Sequence, residues 1–111
     1  MSEGKVRVII KRPDEEFGHV TNISPSLKNL QNTVGGYIEM VTLHTFSWGD
    51  RILIICDEEG RLKGKEHNCG VAGIDFVGDI ICAASNAEGE LIDLKMDFAH
   101  WKKLITQKGD F

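Results

Sequence analysis

Residues 51–57 read Arg-Ile-Leu-Ile-Ile-Cys-Asp. Ile52 to Cys56 is an apolar run with no polar face, closed at each end by a charged residue. A strand with one wet side alternates apolar and polar residues, whereas one covered on both faces has no need to alternate. The stretch therefore predicts a central strand, and the fold must supply a covering layer on each side of it.

The chain on either side supplies further strands. Upstream, Tyr37–Phe46 reads as a strand and Ser47-Trp48-Gly49-Asp50 as the turn that joins it to the central one. Downstream, Asp57-Glu58-Glu59-Gly60 turns the chain, and residues Arg61–Asn68 read as an excursion without regular structure. Val71–Ser85 is apolar but interrupted by Gly73 and Gly78; a glycine such as Gly78 inside a strand pattern predicts a bulge or a close backbone approach. Asn86–Gly89 is a hairpin-like turn into the alternating Leu91–Lys95.

Near the start, Lys5–Lys11 alternates, with Val6, Val8 and Ile10 on one face and Arg7 and Lys11 on the other. That predicts a half-buried strand, ended by Pro13 and paired with His19–Ile23 as a hairpin. Ser24-Pro25 predicts a helix start, Leu27, Leu30 and Val34 its apolar stripe, and Gly35-Gly36 its stop. A second helix begins at Asp97 as N-cap, with Met96 and Trp101 as a staple and Phe98, Trp101, Leu104 and Ile105 as the buried stripe. The order is β-β-α-β-β-β-β-α: one α+β domain over residues 1–111, with an antiparallel or mixed sheet of about five to six strands and two helices packed on it.

Composition narrows the function classes. The chain has 111 residues, and a net charge of −4 argues against coating DNA or RNA, because that affinity comes from lysine and arginine displacing counterions. One buried nucleotide needs only a few local donors and stays compatible. Three widely spaced cysteines, Cys56, Cys69 and Cys82, form no disulfide framework and place the chain in a reducing cytoplasm. No leader is read, and no apolar run approaches the length of a membrane span.

No Walker loop, GxGxxG, HExxH or GxSxG is present, so no catalytic residue, metal ligand or cofactor is assigned. Three clusters are candidates for binding. Gly35, Gly36, Tyr37 and Glu39 place bare backbone beside an aromatic ring and a carboxylate, so a flat ligand could stack on Tyr37 while Glu39 accepts an amine or hydroxyl; a helix stop followed by a strand explains both glycines equally well. Arg61, Lys63 and Lys65 alternate, forming either a solvated edge or a cationic lip for phosphate. In His67-Asn68-Cys69-Gly70, His67 is an acid or base and Cys69 a nucleophile or metal ligand on one reading; on the other, the segment is a polar loop with Asn68 capping a turn. Trp48, in a turn, covers a sheet edge, lines a pocket or meets another subunit.

Several of these stretches together resemble an uncharacterised family of small proteins from bacteriophages, plasmids and other mobile elements. They are Val6–Ile10, Val34-Gly35-Gly36-Tyr37-Ile38-Glu39, Asp57-Glu58-Glu59-Gly60-Arg61-Leu62, His67-Asn68 and Phe76-Val77-Gly78-Asp79-Ile80-Ile81. The resemblance runs from about Val6 to Leu104, with Lys65-Glu66 where the family pattern has an apolar-proline pair. A looser analogy, to viral sponges of nucleotide immune signals, implies a homo-oligomeric protein of the host bacterial cytoplasm. Such a protein sequesters a cyclic dinucleotide or cyclic ADP-ribose type of molecule without cleaving it. On that expectation the ligand-binding residues are Gly35, Gly36, Tyr37, Glu39, Arg61, Lys63, His67 and Asn68, and alanine at Tyr37 or Asn68 abolishes capture with the fold intact. The alternatives are a protein-interaction module that inhibits or assists a host protein, and a nucleotide hydrolase using His67 or His44.

Overall fold

In the computed structural model, which describes residues 4–106, the central strand is flanked as its composition requires. We number the elements along the chain. The strands are β1 (Val6–Lys11), β2 (His19–Ile23), β3 (Ile38–Thr45), β4 (Arg51–Asp57), β5 (His67–Val71), β6 (Ile74–Val77), β7 (Ile80–Ser85), β8 (Leu91–Ile92) and β9 (Ile105–Thr106). The helices are α1 (Leu27–Val34) and α2 (Phe98–Leu104). The main sheet runs β2-β1-β7-β4-β3, with β8 also on β7, and every pairing in it is antiparallel.

β4 and β7 occupy its middle and are paired from Arg51↔Ser85 to Ile55↔Ile81. Their side chains alternate between two apolar cores. Leu53, Ile55, Ile81 and Ala83 join Val6, Val8 and Ile10 beneath α1, whose Leu30 and Val34 close that side. Ile54, Cys56, Ile80, Cys82 and Ala84 point the other way, with Ile9, into a core roofed by Val71, Phe76, Leu94 and Trp101. Removing these side chains from water supplies the main drive for folding, at roughly 25 cal/mol for each Å² of apolar surface.

That roof is a second, three-stranded sheet, β6-β5-β9, together with α2. The sequence pattern merged its strands with their neighbours. Val71–Ser85 is divided twice: at Ala72-Gly73, where φ values of 51° and 86° make the two-residue hairpin turn between β5 and β6, and at Gly78, where the chain leaves one sheet for the other. Gly78 is thus a crossing point and not a bulge within one strand; a Cβ there would lie 2.7 Å from Lys65 Cδ.

The roof also changes β1. Its second face is covered, so Ile9 and Lys11 are both buried, and the strand is not half-exposed as alternation predicts. Both helix ends differ in detail as well. α1 is capped by Ser26, whose Oγ accepts from the Asn29 N–H at 3.2 Å, two residues beyond the expected Ser24, and Leu27 stays exposed outside the buried stripe. Gly35 ends α1 in the left-handed conformation, and Asp97 caps α2 by accepting from the His100 N–H at 2.8 Å, both as the sequence predicts.

Candidate functional site

Of the expected binding residues, Gly35, Gly36 and Lys63 meet at the α1 terminus in an internal network. α1 ends with the Val34 and Gly35 carbonyls unpaired within the helix, which favours cations there. Lys65 Nζ donates to Val34 O at 2.7 Å and Lys63 Nζ to Gly35 O at 3.1 Å. Both ammonium groups also reach Asp57 Oδ2 at 2.8 Å, while Asp57 Oδ1 accepts from the Glu59 N–H at 2.9 Å. Burial pushes the Asp57 pKa up, but the hydrogen bonds from Lys63 and Lys65 and from the Glu59 N–H outweigh it and hold the carboxyl well below the usual range. Gly36 is needed because a Cβ there would lie 2.6 Å from Lys63 Nζ and 2.7 Å from both Asp57 oxygens.

Two of the three alternating cations are therefore engaged by Asp57 and the α1 carbonyls, and the third, Arg61, donates to the Asp75 carbonyl at 3.0 Å. Gly36, Tyr37 and Lys63 share one shallow depression of about 270 Å³, whereas Glu39 and Arg61 line another of about 260 Å³. His67 and Asn68 line neither. His67 Nε2 lies 3.4 Å from Asp75 Oδ1, and its Nδ1 is buried without a partner.

Asn68 is buried. Its Oδ1 accepts from Lys11 Nζ at 2.7 Å, and its amide nitrogen donates to the Lys11 and Gly78 carbonyls at 2.9 and 2.6 Å. Every polar atom of that side chain is thus engaged in joining β1, β5 and the crossing at Gly78 between β6 and β7. Alanine at this position is therefore expected to act on the fold as well as on any ligand. Burial also pushes the Cys69 thiol up to about 11, and Cys56 and Cys82 similarly to about 11 and about 12. Cys69 is therefore protonated at neutral pH and unsuited to nucleophilic attack. Among the described residues no three His, Cys, Asp or Glu side chains are grouped to hold a metal ion, and no helix is long and apolar enough to cross a membrane.

The cleft with the most ligand-like chemistry lies at the other end of β3. It has a volume of about 450 Å³. Its apolar floor is formed by Ile52, Ala84 and Ile92, at the ends of β4, β7 and β8. One wall is the β3–β4 turn, closed by hydrogen bonds from the Phe46 N–H to Asp50 O and from the Gly49 N–H to Phe46 O. That turn carries an aromatic ladder: His44 meets Phe46 edge-on at 4.5 Å, and Phe46 stacks on Trp48 at 4.7 Å with 13° between the rings. The outer ring, Trp48, remains 66% exposed. Gly49 lets this turn press against its neighbour, since a Cβ there would lie 2.7 Å from Ala87 Cβ.

The opposite wall is the strap from Asp93 to Asp97 together with His100 of α2. Arg7 fixes the strap: its N–H donates to Asp93 Oδ1 at 2.8 Å, its guanidinium donates to the Leu94 and Met96 carbonyls, and its own carbonyl accepts from the Leu94 N–H at 2.9 Å. Of the carboxylates facing the cleft, Asp93 and Asp97 are engaged by backbone N–H groups, leaving Asp50 available. Arg51 and Lys95 also line it, and neither side chain has a hydrogen-bond or ion-pair partner among the described residues. The cleft therefore offers a free ring face, two uncommitted cations and one acceptor above an apolar floor. Sequence reasoning flagged Trp48 because a large aromatic in a turn is hard to bury; Arg51, Lys95 and His100 gave no comparable signal.

Comparison with known proteins adds a family but no activity. The family model for a domain of unknown function, DUF3846, matches residues 6–107. No curated protein and no solved structure matches the chain.

Proposed function

We propose that this chain, which belongs to the DUF3846 family, is a binding protein that holds a nucleotide-derived signalling molecule and returns it unaltered. The molecule is of the cyclic dinucleotide or cyclic ADP-ribose class. In a bacterial host cytoplasm, withdrawing it would counter immune signalling of the kind the mobile-element resemblance implies. The observation that carries the reading is the pairing of the exposed Trp48–Phe46 stack with the unpartnered Arg51 and Lys95. A base takes the ring face, phosphate takes the cations, and a ribose hydroxyl or exocyclic amine takes Asp50. The protonated thiols and the structural use of Asn68 and Lys63 favour binding over covalent chemistry at the sequence-derived cluster.

The test is capture from solution. The protein is mixed with cyclic dinucleotides and ADP-ribose derivatives, filtered, and the filtrate is analysed by mass spectrometry before and after heating. A compound depleted at first and recovered at its original mass after heating is the expected result. Trp48→Ala should weaken that capture by about tenfold to a hundredfold, the usual worth of one base–aromatic stack. A new mass would make the protein a hydrolase. If nothing is depleted, the reading as a protein-interaction module leads, for which the unpaired edge of β3 is the specific support.

A further inference from the structure

Among the described residues seven large apolar side chains are exposed, and six of them surround a single strand. Leu27 and Met40 line the groove on the α1 side of β3, and Leu62 and Ile74 line the cavity on its other side. Tyr37 and Trp48, 68% and 66% exposed, stand just before and just after the strand. The opposite edge of the sheet, β2, has only Val20. β3 is also the longer edge, with eight residues against five, and among the described residues its outer backbone groups have no neighbouring strand. Edges in monomeric proteins are commonly kept short or guarded by lysine or proline. Residues 38–45 contain neither, and their one acidic or basic residue besides His44 is Glu39. The bulge between Thr42 and His44 does not end the strand, since pairing with β4 resumes through Thr45.

We propose that β3 pairs antiparallel with β3 of a second copy, joining the two main sheets into one, and that each copy completes the other's cleft. A second copy suits the edge better than a different partner for two reasons. Antiparallel self-pairing about the middle of the strand, near Val41 and Thr42, brings the end bearing Glu39 alongside the end bearing His44 of the other copy. The Glu39 carboxylate thus meets an imidazole, which carries an N–H donor, instead of a second carboxylate, without any further residue. The same pairing covers the apolar residues on both flanks twice over by one symmetry operation.

The pairing also explains why the sequence-derived cluster and the structural cleft lie at opposite ends of β3. Within one chain Tyr37 and Glu39 are far from the Trp48 turn along the strand. In the pair, the second copy's Gly36-Tyr37 end arrives beside the Phe46–Trp48 end of the first. The aromatic cleft thereby gains a further exposed ring and a further carboxylate. This last step rests on the proposed ligand reading, whereas the pairing itself does not.

Sedimentation velocity on the ligand-free protein separates the two. The wild type should sediment at twice the 12.4 kDa chain mass, as should Val20→Lys at the opposite edge. Met40→Lys should sediment as a single chain with an unchanged circular dichroism spectrum. Trp48 reports the composite cleft without any ligand, because Trp101 is fully buried and silent to quenchers. Iodide should quench tryptophan emission severalfold more strongly in Met40→Lys than in the wild type. A wild type that remains a single chain across a dilution series overturns the pairing, as does a Met40→Lys protein that stays paired. Equal quenching in paired and unpaired forms overturns the shared cleft while leaving the pairing in place. Should Met40→Lys fail to fold, Tyr37→Lys, outside the strand, is read in the same two measurements.

Discussion

Asn68→Ala is expected to cost the protein about 3–5 kcal/mol, measured as a fall in the urea midpoint, because it strands three buried groups at once. Lys11 Nζ would keep only the Arg12 carbonyl at 3.3 Å, and the Lys11 and Gly78 carbonyls would each lose the amide that satisfies them. The informative control is the double variant Lys11→Met, Asn68→Leu. Removing both partners abolishes the unsatisfied amine, so the pair should be clearly more stable than the sum of the two single changes predicts. Strict additivity would mean that the Lys11–Asn68 contact contributes nothing of its own. A stable Asn68→Ala protein would return this residue to the list of candidate ligand contacts.

The second large effect is at Asp57. Asp57→Ala leaves Lys63 and Lys65 together at the α1 carbonyls with no counter-charge. Removing one partner of a buried ion pair costs about 3–5 kcal/mol, and the low end applies because both lysines retain contact with water. The pH dependence has a definite sign. The folded carboxyl titrates below the ordinary aspartate value of 3.8, so the unfolded chain binds the proton more readily. The stabilisation is fully present above that value and is lost as the pH falls below it. Urea midpoints for the wild type and Asp57→Asn should therefore stay a fixed distance apart down to about pH 4 and converge below it. A gap that is unchanged at the lowest pH would show that the carboxylate charge is not what holds α1 to the turn after β4.

Sequence was sufficient where the cause is composition or a near neighbour, and not where it is a distant partner, as at Asn68. The run Ile52–Cys56 identifies the central strand because burial on both faces is written into its composition. Gly35 and Asp97 mark helix ends because the groups they satisfy are a few residues away. Lys11, Lys63 and Asn68 have partners fixed by the tertiary fold or by the conformation of a turn. A local pattern shows that a lysine is present; it does not show whether a distant asparagine or a helix end receives it. The candidate cleft is less legible still, since it draws on residues from Phe46 to Ile52, on Ala84 and on the segment from Ile92 to His100. Only Trp48 gave a local sign, through the mismatch between a large ring and a short turn.

The order β2-β1-β7-β4-β3 bears on how the chain is made as well as on what it becomes. β1 finds β2 soon after synthesis, but its other edge waits for Ile80–Cys82, about seventy residues later. At bacterial or eukaryotic synthesis rates of roughly 5–20 residues per second that is a delay of several seconds. During it, Val8 and Ile10, which the finished core hides, have no β7 to lie against. β4 and β3 can pair meanwhile, yet the two hairpins are joined only when β7 slides between them. The last long strand of the main sheet is therefore its keystone, and until it arrives the two hairpins have no strand to join them.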